Sequence, residues 1–156
     1  MENNYKKIKS WSCFSVISKG LYDDNGRYIS KEDAFDPNDI TKILNIKPQS
    51  IRIYGNRREG VDNPDSVYCS SAWFSEKVTD PPIDRDSHCY NIIQWLIPHE
   101  DELIEFKMTH NVYYEIEICI YESGNDILID SEIISFCNRV GIEIRFNTLL
   151  THISLE

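Results

Sequence analysis

The stretch "VYYEIEICIYE", residues 112 to 122, constrains the fold more than any other. Side chains alternate across a strand, so residues two apart share a face. Tyr114, Ile116, Ile118 and Ile120 fall on one face, and Glu115, Glu117, Cys119 and Tyr121 on the other. Such a strand buries one side and turns an acidic row towards water. It needs neighbouring strands and a layer packed over its apolar side, which makes a covered sheet the minimum this chain can build.

The remaining elements follow from local chemistry. "KSWSCFSVIS", residues 9 to 18, is a strand with apolar residues at both parities: Trp11, Cys13 and Ile17 on one, Phe14 and Val16 on the other. It is expected to be covered on both faces for part of its length. "YDDNGRY", residues 22 to 28, carries an Asn-Gly turn signal. In "FDPNDITKILNIKP", residues 35 to 48, Asp36 can accept from the free N–H groups of a first helical turn, and Pro37 suits the first helical position. Asp39 complements the helix dipole, and Ile40, Ile43 and Leu44 form the buried stripe. Asn45 closes the helix in a left-handed conformation, and Pro48 prevents continuation. These aspartates are therefore capping residues rather than catalytic ones.

"SIRIYG", residues 50 to 55, and "YCSSAWFSEK", residues 68 to 77, are strand candidates. Charged "NRREGVDNPDS", residues 56 to 66, is a loop, and "TDPPIDRD", residues 79 to 86, a rigid connector. A helical pair follows, interrupted by Pro98. Cys89, Ile92, Ile93, Leu96 and Ile97 form the apolar face of its first part, and Leu103, Ile104 and Met108 that of its second. Asp130 or Ser131 caps a further helix in which Ile133, Ile134, Cys137 and Val140 point inward, and Gly141 ends it. The final strand, "IEIRF" at residues 142 to 146, points Ile142, Ile144 and Phe146 inward and Glu143 and Arg145 outward.

A strand, a polar turn, an Asp-capped helix and a strand thus occupy residues 9 to 54 and again 112 to 146. The fold predicted is α+β, one domain over residues 1 to 156: a ferredoxin-like sandwich of two similar strand-helix-strand halves, with a mostly antiparallel sheet and the helices on one face.

These same segments carry a family resemblance. "FDPNDITKILNIKP", "GNRREG", "SSAWFSEK" and "IIQWLIPHEDELIEFK" together resemble the bacterial domain-of-unknown-function family 4279, over roughly residues 10 to 146. Asn45 stands where that family often has glycine. The resemblance supports the order of elements and implies no activity and no catalytic residues.

Charge narrows the partners. Residues 1 to 60 hold eleven Lys and Arg against eight Asp and Glu, a balance of +3, and residues 61 to 156 hold five against eighteen, a balance of -13. An acidic lobe repels phosphate backbones, which disfavours nucleic acid and suits a basic protein partner. Solubility alone would also account for it. No stretch reaches the roughly 18 apolar residues of a membrane span. No apolar core follows the lysines of "MENNYKKIKS", so a cytoplasmic protein without a signal peptide is expected. Cys13, Cys69, Cys89, Cys119 and Cys137 are odd in number and form no CxxC pair, the pattern of reduced thiols rather than of a disulfide framework or zinc ribbon.

No pair among His88, His99, His110 and His152 has the four-residue spacing of a zincin, and no GxGxxG, GxxxxGK[ST] or GxSxG occurs. No catalytic, cofactor-binding or metal-ligating set is expected. Trp73 is more often core than contact in such a strand. The candidate partner-binding residues are Glu115, Glu117 and Glu143, an acidic patch if their strands are neighbours, and Arg57 and Arg58, which with Arg52 and Tyr54 suit an anion or a carboxylate on a partner. Three readings follow. One is a non-enzymatic binding module, such as an immunity-type protein for a basic partner. Another is a small enzyme or ligand-binding protein with its site between sheet and loops, rimmed by residues 56 to 66 and 79 to 86. The third is a homo-oligomer paired through an edge strand; the oligomeric state itself is not fixed by the sequence.

Overall fold

A computed structural model describes residues 10–19, 25, 34–80, 87–120 and 127–148. All but Asn25 of the turn expected at residues 22 to 28, and most of the connector at 79 to 86, lie outside them. Strand β1 (Ser10–Ser18) is followed by helix α1 (Pro37–Leu44), β2 (Ser50–Arg52), β3 (Ala72–Phe74) and β4 (Val78–Thr79). Then come α2 (Tyr90–Leu96), a 3-10 turn (Ile97–His99), α3 (Glu100–Thr109), β5 (Val112–Ile120), α4 (Ser131–Val140) and β6 (Ile142–Thr148).

The predicted caps are present. Asp36 accepts from the Asn38 backbone N–H at 2.9 Å, with Pro37 inside the first turn. Asn45 adopts φ 51°, and Gly141 ends α4 at φ 75°. Of the two candidates for capping α4, Asp130 does so, accepting from Glu132 N at 2.8 Å.

The strands lie in the order β2-β3-β1-β5-β6, and β4 pairs with the start of β1 on the side where β3 pairs with its end. All pairings are antiparallel except β5 with β6, which is parallel. The expected likeness of the two halves is corrected here. In the first half β3 lies between β1 and β2. In the second half β5 and β6 touch directly, with α4 as their crossover. The halves share an order of elements but not a placement of strands.

One apolar cluster joins the inward parity of the strands to the helices. It contains Phe14, Val16, Trp73, Tyr114, Ile116 and Ile118 from the sheet, and Ile40, Ile92, Leu103 and Phe136 from α1, α2, α3 and α4 respectively. The helices therefore cover one face of the sheet. Trp73 is core, its indole N–H donating to Thr41 Oγ1 at 3.0 Å.

Four inward assignments are overturned. In α4 Phe136 is buried and Ile134 is 53% exposed, because positions 133, 136, 137 and 140 follow the 3,4 spacing and 134 lies off that stripe. In α3 the stripe runs Leu103 to Phe106, which leaves Met108 81% exposed. Phe146, on edge strand β6, lies largely in solvent despite its inward parity. Ile97 also leaves the core, since α2 ends before it.

Candidate functional site

The face of the sheet opposite the helices carries the other parity: Trp11, Cys13 and Ile17 from β1, Glu115 and Glu117 from β5, and Glu143 and Arg145 from β6. The parallel register sets Glu115 directly opposite Glu143, and Glu117 opposite Arg145. The three predicted carboxylates are thus brought onto one face by strands far apart in sequence.

They are not equally open. Glu143 is exposed and Glu117 half-buried, but Glu115, expected on the surface, is only 7% exposed. Its carboxylate takes Arg145 Nη2 at 2.7 Å. Burial nevertheless pushes its carboxyl above the ordinary range, with Arg145 pulling the other way and Glu117 and Glu143 adding to the rise. Glu117 accepts from Asn147 Nδ2 at 3.0 Å and from the Cys13 thiol at 3.9 Å. Burial, then the charge of Glu117, raises that thiol to about 11. Lys77 Nζ lies 4.3 Å from the Trp11 ring centroid, a cation–π contact on the same face.

Arg57 and Arg58 stand elsewhere. They belong to a hairpin between β2 and β3, tied by Gly55 N to Tyr68 O, Tyr68 N to Asn56 O and Arg58 N to Ser66 O, each 2.9 Å. Arg52 stacks on Phe74 with its guanidinium carbon 4.8 Å from the ring centroid. The glutamates lie towards the β6 edge and the arginines at the β2 end, so the five candidates form two separate groups.

Sequence reasoning missed a buried polar knot. On the helix-covered face, Ser10 Oγ donates to Asp80 Oδ2 at 3.0 Å, and Ser12 Oγ to both carboxylate oxygens at 3.0 and 3.1 Å. The Cys89 backbone N–H also bonds Asp80, and Cys89 itself adopts φ 54°, rare for a residue with a Cβ. Burial raises the Asp80 carboxyl, opposed by these hydrogen bonds and by His88. Fully buried His88 places Nδ1 3.0 Å from Leu128 O, and its Nε2 has no partner among the described residues. The signal was available: Ser10 and Ser12 share the parity of Phe14 and Val16.

Concavities are modest. A cavity of about 200 Å³ lies between α2 and the first turn of α4. Broader depressions of about 560 and 340 Å³ lie at the arginine hairpin and along α4. The first, the least open of the three, is smaller than the roughly 300 Å³ usual for small-molecule sites. Among the described residues, no three His, Cys, Asp or Glu are grouped to hold a metal ion, and no helix is long and apolar enough to cross a membrane.

A family model described as Domain of unknown function (DUF4279) matches residues 28–151. The chain belongs to the DUF4279 family. The match begins after β1, so the strand at the centre of the sheet precedes the matched region. No curated protein and no solved structure matches the chain. The DUF4279 assignment brings no reaction or ligand, and function has to be argued from the surfaces.

Proposed function

We propose that this DUF4279 chain is a non-enzymatic protein-binding module that engages a basic partner through the face of the sheet opposite the helices. The observation that carries the reading is the parallel pairing of Glu115 with Glu143, beside Glu117. Like charges set directly across strands cost stability, and arginine relieves only one of the three. Glu143 and Glu117 remain to meet lysine or arginine from outside. Trp11 and Ile17, half-buried on the same face, supply apolar contact. Arg57 and Arg58, at the other end of the sheet, would serve a carboxylate on the same partner. A cytoplasmic, immunity-type protein that neutralises a basic toxin fits this combination, and five cysteines without paired spacing suit a reducing compartment.

The test begins with capture of a binding protein at low salt, followed by association kinetics. Glu117→Lys with Glu143→Lys should slow association about tenfold or more and flatten its salt dependence, because steering charge acts mainly on the on-rate. An unchanged rate with unchanged salt dependence would place the surface elsewhere.

A further inference from the structure

The opposite side of the molecule carries a second surface. Tyr90, Ile93 and Ile97 from α2 and its end face Leu128 and Ile133 across the cavity of about 200 Å³. Ile97 and Leu128 are 45% and 48% exposed, high for large aliphatic side chains that line a common hollow. Ile97 and Glu132 also border the depression that continues along α4 past Phe136. Together they make a groove rather than scattered apolar residues.

Its walls are held in place. His88 N donates to Leu128 O at 2.8 Å, and Asp130 N donates to Ser87 Oγ at 2.8 Å. A preformed apolar hollow spends little free energy on ordering when it is filled. Its volume suits one bulky side chain, the kind of anchor that dominates protein interfaces.

Its charge is one-sided. Asp130 and Glu132 stand at the cavity, and no basic residue among the described ones lines it. Glu132 makes no ion pair among the described residues. Arg139, the one cation along the groove among the described residues, is already bound to Glu100, Nε to Oε1 at 2.6 Å and Nη2 to Oε2 at 3.1 Å. Asp130 is partly committed to its cap, which leaves Glu132 as the free carboxylate beside the hollow.

We infer that this groove docks a segment of a basic protein that presents one bulky apolar side chain with a lysine or arginine next to it. The apolar side chain fills the cavity and the cation meets Glu132. The inference shares a basic partner with the sheet-face reading but not its surface, and it is tested without the natural partner.

The full chain, with labelled isoleucine and leucine methyl groups, is titrated with acetyl-Lys-Phe-Lys-amide while its methyl spectrum is followed. Saturable shifts are expected at Ile93, Ile97, Leu128 and Ile133, and not at Ile17 on the sheet face opposite the helices. Acetyl-Glu-Phe-Glu-amide should bind about tenfold more weakly, since like charges now face each other. Acetyl-Lys-Ala-Lys-amide should leave the methyl groups of the hollow unshifted. Glu132→Lys, an exposed change that spares the cap of α4, should weaken the lysine peptide about tenfold and reverse the preference. No shift at the hollow, equal binding of the lysine and glutamate peptides, or shifts confined to the sheet face would each overturn the inference. Failure here leaves the sheet-face kinetics untouched, and the converse also holds.

Discussion

Asp80 is the side chain whose replacement tests the physics of this fold most directly. Its carboxylate accepts from Ser10, Ser12 and the Cys89 N–H in a site almost closed to water. Each hydrogen bond to a charged acceptor is worth about 1.5–3 kcal/mol net, but burying the carboxylate consumes several kcal/mol of that gain. In Asp80→Ala the two serine hydroxyls can turn towards one another. The Cys89 N–H has no such recourse, and a buried orphan donor costs about 1–3 kcal/mol. Asp80→Ala should therefore lose about 2 kcal/mol at neutral pH. Asp80→Asn keeps the shape and one acceptor without the charge, and should lose less than about 1 kcal/mol. Because burial raises the carboxyl, the folded state holds its proton more tightly than the unfolded chain. Its contribution is fully present below the unfolded value near 3.9 and is lost as pH rises through the raised folded value. The stability of the native protein minus that of Asp80→Asn should accordingly fall as pH rises above about 4. Urea unfolding at four pH values measures this, and a Ser12→Ala cycle should show a coupling of about 0.5–3 kcal/mol. A difference that rises with pH, or Asp80→Ala more stable than the native protein, would refute the reasoning.

Three further outcomes are expected. Asn45→Ala should cost about 1 kcal/mol by thermal unfolding, because alanine resists φ 51°, and Asn45→Gly should be at least as stable as the native protein. Gly141→Ala should cost about 1–2 kcal/mol or more, since φ is 75° and a Cβ would meet Lys107 Nζ at 2.6 Å; a neutral effect would contradict the geometry. A thiol reagent should modify exposed Cys69 first and Cys13 slowly, its thiol raised to about 11, and reach Cys89, Cys119 and Cys137 only after denaturation, as resolved by peptide mass analysis.

What was legible in the sequence was local. Asp36, Pro37 and Asn45 define α1 because capping is decided within a few residues of chain. The faces of β5 followed from a period of two over nine residues. Less legible was whatever depends on a neighbour. Phe136 and Ile134 are both apolar and two apart on α4, and the stripe through Ile133, Cys137 and Val140 passes closer to Phe136, which is the one buried. β4 is two residues long and exists through its pairing with Trp11 and Ser12. Glu115 is polar and on the outward parity, yet Arg145 and the flanking strands shield it from water. The Arg57 and Arg58 loop was recognised as exposed, but nothing local fixes its distance from the glutamates.

Both candidate surfaces depend on one topological feature, the parallel pairing of β5 with β6. Parallel neighbours cannot be joined by a tight hairpin, so the chain must return to the start of β5 through a crossover on the helix-covered face. That return is α4. Its first turn lies beside α2, and the gap between them is the apolar hollow with Asp130 and Glu132 at its rim. The same pairing sets Glu143 level with Glu115 on the face opposite the helices. A hairpin to an antiparallel strand would have removed the need for α4 and changed which residues face Glu115. The carboxylate row and the groove are thus two consequences of a single strand direction, on opposite sides of the sheet. A partner bound to one leaves the other free, and the two peptide and kinetic tests address them separately.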